Sequence, residues 1–156
     1  MGLEDLVIAA QQLFADKKNE EAAAKFAEAI ALDPEEPGLR TSRAAALMAA
    51  GRHAEALEEL DVAVRLEPDS ARAWYRRGMA RMALRDTEGA IADFTGSIER
   101  DHQYGVAFYA RGMAYDSLGR DQEAQEDLRK AWVLGSAKVQ GELDTYGIIR
   151  TEMDKK

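Results

Sequence analysis

The apolar residues of the chain follow a helical period, and they do so in two different ways in alternating stretches. Residues 87–100 carry a single apolar stripe, which consists of Ala90, Ile91, Phe94 and Ile98. This spacing predicts an amphipathic helix with one buried face and one solvated face. Residues 71–84 are apolar on two sides, with one line formed by Trp74 and Gly78 and another by Tyr75, Met79 and Met82. A helix of that kind has to pack on both sides or present one side to a ligand.

The two stretches together are one copy of a tandem repeat with a period of 34 residues. A shift of one period places Phe108 on Trp74 and Tyr109 on Tyr75. Four units follow one another without insertion, at 3–36, 37–70, 71–104 and 105–138. Repetition at this period is typical of helical hairpins that stack into a solenoid. We therefore predict an all-α, right-handed superhelical solenoid of four antiparallel helix-turn-helix units, with the first helices on the inner wall.

Turn and capping residues divide each unit into its two helices. Gly51 and Gly119 lie between the helices of the second and fourth units, where glycine permits the left-handed conformation that ends a helix. In the third unit, Asp86 or Thr87 can supply the side-chain oxygen that caps the first amides of the second helix. These signals predict a tight turn in the middle of each unit.

Proline marks the boundaries between the first units, and an amphipathic segment follows the last one. Pro34 and Pro68 end the second helices of the first two units, because proline cannot continue a helix. Residues 137–153 show one more amphipathic pattern. We predict that 139–156 comprises a C-terminal capping helix and a short tail, since the end of a solenoid has to be covered.

Small residues recur where the two helices of a unit face each other. They occupy the eighth and twentieth places of the units, as Ala10, Ala44, Gly78 and Gly112 and as Ala22, Ala56, Ala90 and Ala124. Larger apolar residues fill the twenty-fourth place, as Phe26, Leu60, Phe94 and Leu128. Small side chains let two helices approach closely, so we interpret these places as core.

These places are also the ones that define tetratricopeptide repeats, and the chain resembles that family over residues 3–138. The match is best in the third unit, through Trp74, Gly78, Ala90 and Phe94. The resemblance implies a concave inner surface, which in members of the family cradles extended peptides or helices.

Arginine recurs at the seventh place of three units, and an acid recurs at the twenty-third place of the same units. Both places lie about equally far from the turn, so we predict ion pairs across the hairpins, namely Arg43 with Glu59, Arg77 with Asp93 and Arg111 with Asp127. If exposed, each pair would contribute less than ~1 kcal/mol. The alternative is a basic ladder for an anionic ligand.

Two further arginines depart from the family pattern, Arg40 at its tryptophan place and Arg81 at its tyrosine place.

The inner wall holds the best functional candidates. They come from the sides of the first helices that hairpin closure does not need, and they are Thr41, Met48, Arg72, Tyr75, Arg76, Met79, Met82, Val106, Tyr109, Met113 and Asp116. Methionine side chains adapt to varied partners, and tyrosine side chains give a large contact area at low entropic cost. We predict that these residues bind a peptide. For the two tyrosines, packing on the neighbouring first helix is an equal alternative.

Arg72 and Arg76 are one helical turn apart, so both can reach the same carboxylate. The pair partly resembles the clamp with which chaperone-adaptor members of the family hold the C-terminal carboxylate of heat-shock chaperones. The resemblance also places Ser42 on the clamp's second-unit asparagine, and Gln11 and Val7 on its first-unit asparagine and lysine. Valine cannot replace lysine, so we expect an incomplete clamp.

Composition excludes several classes of function. The chain has no cysteine and two histidines, His53 and His102, so neither a disulfide nor a Cys/His zinc site is expected. A net charge of -8 at pH 7 argues against nucleic acid as a partner. The N-terminal segment has acids where a signal peptide needs positive charge, and no apolar run approaches transmembrane length. We therefore expect a soluble, cytoplasmic protein that binds no membrane.

No catalytic constellation, phosphate-binding loop or metal-ligand spacing is present in the sequence. We predict a non-catalytic scaffold or adaptor without cofactors, which binds a peptide or helical segment of a protein partner in its concave groove, as a monomer or weak homo-oligomer. Three alternatives remain open. One is a structural element that self-associates through its repeat ends, such as the uncovered face of the N-terminal helix; another is a chaperone adaptor with an incomplete clamp. The third is an engineered repeat array.

Overall fold

The computed structural model describes residues 1–135, and this part of the chain forms eight helices and no strand. The first helices of the units are α1 (Leu3–Ala15), α3 (Pro37–Ala49), α5 (Ala71–Ala83) and α7 (Gly105–Ser117). The second helices are α2 (Asn19–Leu32), α4 (His53–Leu66), α6 (Thr87–Arg100) and α8 (Asp121–Leu134). Corresponding helices begin 34 residues apart, at the period of the sequence pattern. The predicted capping helix within 139–156 lies outside the described residues.

The helices pack in the order of the chain. Each first helix packs on the second helix of its own unit, and each of α2, α4 and α6 packs on the first helix of the next unit. The first helices α3, α5 and α7 also touch in succession. Stacked hairpins whose main contacts are with their neighbours form a solenoid. The predicted all-α solenoid is therefore confirmed.

The hairpins close on small residues, as predicted. The alanines at the eighth and twentieth places are buried, and so are Phe26, Leu60 and Phe94 beside them. In the third unit the backbones are so close that a Cβ atom added to Gly78 would lie 2.5 Å from the Phe94 ring. Close packing of this kind leaves no room for a larger side chain at the eighth place of the third unit.

Side-chain caps define where three of the helices begin: Ser70 caps α5 through the Ala73 amide, and the other two caps are acidic. The Asp86 carboxylate accepts a hydrogen bond of 3.1 Å from the Gly89 amide, so Asp86, rather than Thr87, is the cap of α6. The Glu36 carboxylate accepts one of 3.0 Å from the Gly38 amide at the start of α3. These contacts satisfy amides that have no partner within their helix.

All four turns within the units use the left-handed backbone conformation at one residue. Gly51 and Gly119 have φ angles of +79° and +71°, as their positions predict. Lys17 and Arg85 occupy the corresponding places of the first and third units, with φ angles of +61° and +63°. A side chain makes this conformation unfavourable by roughly 1–2 kcal/mol. The turn geometry is therefore imposed by the packing of the hairpin.

We expect glycine to be more favourable than the natural residue at these two turns. Lys17→Gly and Arg85→Gly should each raise the free energy of unfolding by about 0.5–1 kcal/mol, because relief of the left-handed strain exceeds the added entropy of the unfolded chain. Gly51→Ala is the matched control and should lower it by about 1 kcal/mol. Urea unfolding curves of the three variants measure these changes. Loss of stability in both glycine variants would contradict the explanation.

The second helices all end at the same place of the repeat, whether or not a proline follows. α2 and α4 end two residues before Pro34 and Pro68, as predicted. α6 and α8 lack the proline and still end at the equivalent residues, Arg100 and Leu134. The helix length is therefore the same with and without a following proline.

The outer face of α1 carries more polar side chains than the corresponding face of α3, although Ile8 on this face is 58% exposed. Its exposed side chains include Asp5, Gln12 and Asp16, and the Gln12 amide donates a hydrogen bond of 3.1 Å to Asp16. In the next unit, the places of Asp5 and Gln12 hold Leu39 and Ala46, which are buried in clusters with residues of the first unit. The end face of α1 therefore combines polar side chains with an exposed isoleucine, and end-to-end assembly through it stays an alternative.

Candidate functional site

Each seventh-place arginine binds the acid that faces it across its own hairpin, as predicted. The N···O distances are 2.6, 2.8 and 2.7 Å for Arg43–Glu59, Arg77–Asp93 and Arg111–Asp127. The acids are much less exposed than surface residues would be, and Asp93 is 1% exposed. A buried carboxylate depends on its partner far more than an exposed one does. The limit of ~1 kcal/mol set for exposed pairs therefore does not apply to these pairs.

The two arginines that depart from the family pattern join the same clusters. Arg40 lies 3.1 Å from Glu59, and Arg81 lies 3.0 Å from Asp93. Glu59 and Asp93 thus each receive two guanidinium groups. At the places of Arg40 and Arg81, an ion pair thus replaces the aromatic packing of the family pattern. The sequence pattern did not predict these two ion pairs.

The seventh-place arginines also connect each unit to the one before it. Arg43 donates to the Ala23 carbonyl oxygen at 3.2 Å, and Arg111 donates to the Thr95 hydroxyl at 3.2 Å. Arg77 lies 3.4 Å from Asp61 of α4. These arginines are fully engaged in holding hairpins and units together. The alternative of a basic ladder for a ligand is therefore wrong.

A cleft of about 500 Å³ opens on the side of the first helices of the first three units. Its floor and walls come from α1, α3 and α5, from one residue of α2, and from the connections between units. The lining residues are Gln11, Phe14, Phe26, Glu36, Pro37, Gly38, Thr41, Ser42, Ala45, Glu67, Ser70, Arg72, Ala73 and Arg76. The size is that of a site for a small ligand or for a few residues of a peptide.

Arg72 and Arg76 stand out in this cleft because neither makes an ion pair or a hydrogen bond with another described residue. Burial, and then the positive charge of Arg72, lower the pKa of the half-buried Arg76 guanidinium. At Arg77, burial acts in the same direction, but the hydrogen bonds and charge of Asp93 outweigh it and raise the pKa. Arginine remains charged at neutral pH in both cases. Arg76 is thus a partly desolvated cation without a counter-ion among the described residues.

The predicted inner-wall residues divide into two groups in the structure. Thr41, Arg72 and Arg76 line the cleft, together with Gln11 and Ser42 of the resemblance to the clamp. The others lie outside its lining, and they are Met48, Tyr75, Met79, Met82, Val106, Tyr109, Met113 and Asp116. Contact of either group with a partner stays a prediction.

Several of the residues outside the cleft contribute to packing between units. Tyr75 makes an edge-to-face contact with Tyr104, with ring centroids 5.7 Å apart, and it also packs near Phe94. Tyr109 packs against the cluster that contains Ile98 and Phe108, and Met82 packs against a cluster that α6 and α7 form together. Both rings are half-buried. The alternative in which the tyrosines pack on the neighbouring first helix holds for Tyr75, whose ring contacts Tyr104 at the N-cap of α7. Met79 remains 41% exposed.

Nine of the lining residues were absent from the sequence candidates, among them the aromatic Phe14 and the charged Glu36 and Glu67. Phe14 occupies the twelfth place of its unit, where Met48 and Met82 were recognised, so the repeat itself contained the signal. Glu36 and Glu67 belong to the connections between units, whose side-chain directions depend on how the units stack. No period in the sequence could have placed them in the cleft.

Two negative findings apply to residues 1–135. This part of the chain contains no group of three or more histidine, aspartate or glutamate side chains arranged to hold a metal ion. None of its helices combines the length and the apolar character that crossing a bilayer requires.

The repeat geometry and the sequence comparison agree on the class of protein. The chain matches the tetratricopeptide repeat family over residues 13–79, and again over 71–104 and 106–131. It therefore belongs to this family. A search of curated protein sequences gave no match.

Solved structures of other tetratricopeptide repeat proteins are similar in fold. MamA (41-end) from Desulfovibrio magneticus RS-1 has a TM-score of 0.79 at 21% identity, and the match covers 85% of this chain and 75% of that chain. The Sgt2 TPR domain from Aspergillus fumigatus has a TM-score of 0.70 at 24% identity, covering 77% and 81%. The first TPR of Spaghetti (RPAP3), bound to the HSP90 peptide SRMEEVD, has a TM-score of 0.70 at 27% identity, covering 75% and 93%.

Proposed function

We propose that this protein is a non-catalytic interaction module that binds an extended segment of a protein partner in the cleft between α1, α3 and α5. An acidic group of the segment is held by Arg72 and Arg76. The remaining inner-wall residues, with Met79 the most exposed among the methionines, extend the contact towards the fourth unit. We expect an affinity on the order of micromolar, about -8 kcal/mol.

The observation that carries this proposal is the unpaired cation in the cleft. Arg40, Arg43, Arg77, Arg81 and Arg111 all bind carboxylates of this chain. The two cleft arginines bind none within the described residues, although the chain has a net charge of -8 and acids are abundant. A half-buried guanidinium gains most from a carboxylate that replaces lost hydration, and two guanidinium groups one turn apart can hold it at both oxygens.

A related structure supports the choice of ligand class. The first TPR of Spaghetti (RPAP3) binds an acidic HSP90 peptide and shares this fold. The cleft is lined by four of the five residues that the resemblance places on the clamp, namely Gln11, Ser42, Arg72 and Arg76. Val7 does not line the cleft, so we propose an acid-binding site and not the complete clamp.

Selection from displayed random peptides of about twelve residues tests the proposal and requires no identified partner. The wild-type protein should enrich peptides that contain Asp or Glu. Arg72→Gln with Arg76→Gln should weaken their binding by a factor of about 10–100, because two charge-assisted hydrogen-bonding groups are lost. Fluorescence anisotropy with the enriched peptides measures the change.

The matched control removes two positive charges elsewhere. Arg65→Gln with Arg129→Gln changes two arginines of α4 and α8 that do not line the cleft. It lowers the net charge by the same amount and should alter binding by no more than about twofold. Equal losses in the two double variants would refute the cleft as the binding site, and so would the absence of any enriched peptide.

A further inference from the structure

The cleft carries charges of both signs, and this restricts which segments it can accept. We infer that it selects segments with a basic residue as well as an acidic one, and that Glu36 and Glu67 receive the basic residue. The inference rests on the proposed function, since it specifies the partner of the same site. It concerns two side chains to which the clamp resemblance assigns no role.

The charges that line the cleft are balanced, although those of the chain are not. Two arginines and two glutamates contribute to the lining, while the whole chain has a net charge of -8. A cleft built only to attract acids would gain nothing from glutamates on its wall. Electrostatic complementarity instead requires a ligand that presents both signs.

The four charged groups do not neutralise one another. None of Glu36, Glu67, Arg72 and Arg76 forms an ion pair with any described residue, so each arginine nitrogen lies more than 4.0 Å from the glutamate oxygens. Glu36 uses one carboxylate oxygen to cap α3 through the Gly38 amide, which leaves the other oxygen free to accept from a ligand. Glu67 accepts no side-chain hydrogen bond within the described residues. All four groups are thus open to a ligand.

The two signs come from different elements that line the cleft. The arginines project from the first two turns of α5, whereas Glu36 is the N-cap of α3 and Glu67 is the C-cap of α4. Both glutamates therefore lie in the connections between units. The C-terminal end of α4 adds partial negative charge beside Glu67, because the last carbonyl groups of a helix are unpaired. A basic group of the ligand therefore lies at the edge formed by these connections, and an acidic group lies against α5.

An acidic segment without a basic residue meets attraction and repulsion together. Its contacts with the arginines are opposed by the two glutamates, and like charges across an interface disfavour a partner even where other contacts fit. A segment with both signs avoids the repulsion and gains from the glutamates. We expect the mixed segment to bind about 3–10 times more tightly than its all-acidic counterpart.

The test compares peptide selections on three forms of the protein, with displayed random peptides of about twelve residues as the probe. The forms are wild type, the double variant Glu36→Gln/Glu67→Gln, and Arg72→Gln/Arg76→Gln. Glutamine keeps an oxygen that can accept from the Gly38 amide, so the cap of α3 survives the loss of charge. Circular dichroism confirms that each variant is folded before selection.

We expect wild type to enrich Lys or Arg together with Asp or Glu in the same peptide. The Glu36→Gln/Glu67→Gln variant should lose the enrichment of peptides with basic residues and retain the enrichment of peptides with acidic residues. Each selected mixed peptide should bind this variant about 3–10 times more weakly than wild type. Replacement of its basic residue by glutamine should have no further effect on that variant.

The possible failures are distinguishable. Enrichment of acids alone on wild type overturns the inference and leaves the proposed function intact. Retention of the preference for basic residues by the Glu36→Gln/Glu67→Gln variant also overturns the inference, since residues other than these two glutamates would then cause the preference. Absence of any enrichment on wild type removes the proposed function and this inference together.

Discussion

Replacement of Asp93 by alanine lowers the free energy of unfolding by about 3–5 kcal/mol, the largest effect we expect from a single substitution. The Asp93 carboxylate is buried and binds both Arg77 and Arg81. Without it, the two guanidinium groups keep only the exposed carboxylates of Asp61 and Asp86, at 3.4 and 3.9 Å, to offset their desolvation. Urea unfolding followed by tryptophan fluorescence, to which Trp74 of the same unit contributes, measures the loss.

Asp61 provides the matched control for this prediction. It is also an acid at the Arg77 guanidinium, but its side chain is 53% exposed and lies 3.4 Å from the arginine. Asp61→Ala should therefore cost less than ~1 kcal/mol. Similar small losses of unfolding free energy in Asp93→Ala and Asp61→Ala would show that the buried ion pairs contribute little to the stability of the solenoid.

Gly78→Ala lowers the free energy of unfolding by about 1–2 kcal/mol, although alanine is the better helix former by about 1 kcal/mol. The new Cβ atom would lie 2.5 Å from the ring of Phe94, which is fully buried and cannot move without displacing its neighbours. The overpacking therefore exceeds the gain in helix propensity. Thermal or urea unfolding of the variant measures the net effect.

The second unit suggests how to rescue this variant. There, Ala44 and Leu60 occupy the places of Gly78 and Phe94. Gly78→Ala combined with Phe94→Leu recreates that pair in the third unit, and it should be more stable than the sum of the two single changes predicts. Strict additivity of the two substitutions would contradict a direct clash between them.

Much of the fold could be predicted because the repeat is local. Hairpin closure requires small residues at places such as Ala10 and Ala22, and this requirement appears in the sequence as a period. The ion pair between Arg77 and Asp93 could be predicted for the same reason, since two places equally far from one turn must face each other. Proline was a less necessary signal, because α6 ends at Arg100 without one.

The composition of the cleft could be predicted only in part. Arg72 and Arg76 were found because they are one turn apart on a single helix. Glu36 and Glu67 were missed because their positions depend on the angle between stacked units, which no single hairpin determines. The second partner of Asp93, Arg81, was missed because charge there replaces the aromatic residue of the family pattern.

The most direct test of the central claim is an NMR titration that observes the Nε–H groups of the arginines while an enriched acidic peptide is added. If the cleft binds the peptide, the signals of Arg72 and Arg76 shift with a saturating, micromolar dependence on peptide. Those of Arg43, Arg77 and Arg111 stay in place, because these side chains are already bound to carboxylates of the chain. Saturable binding that leaves Arg72 and Arg76 unshifted would contradict the assignment of the cleft.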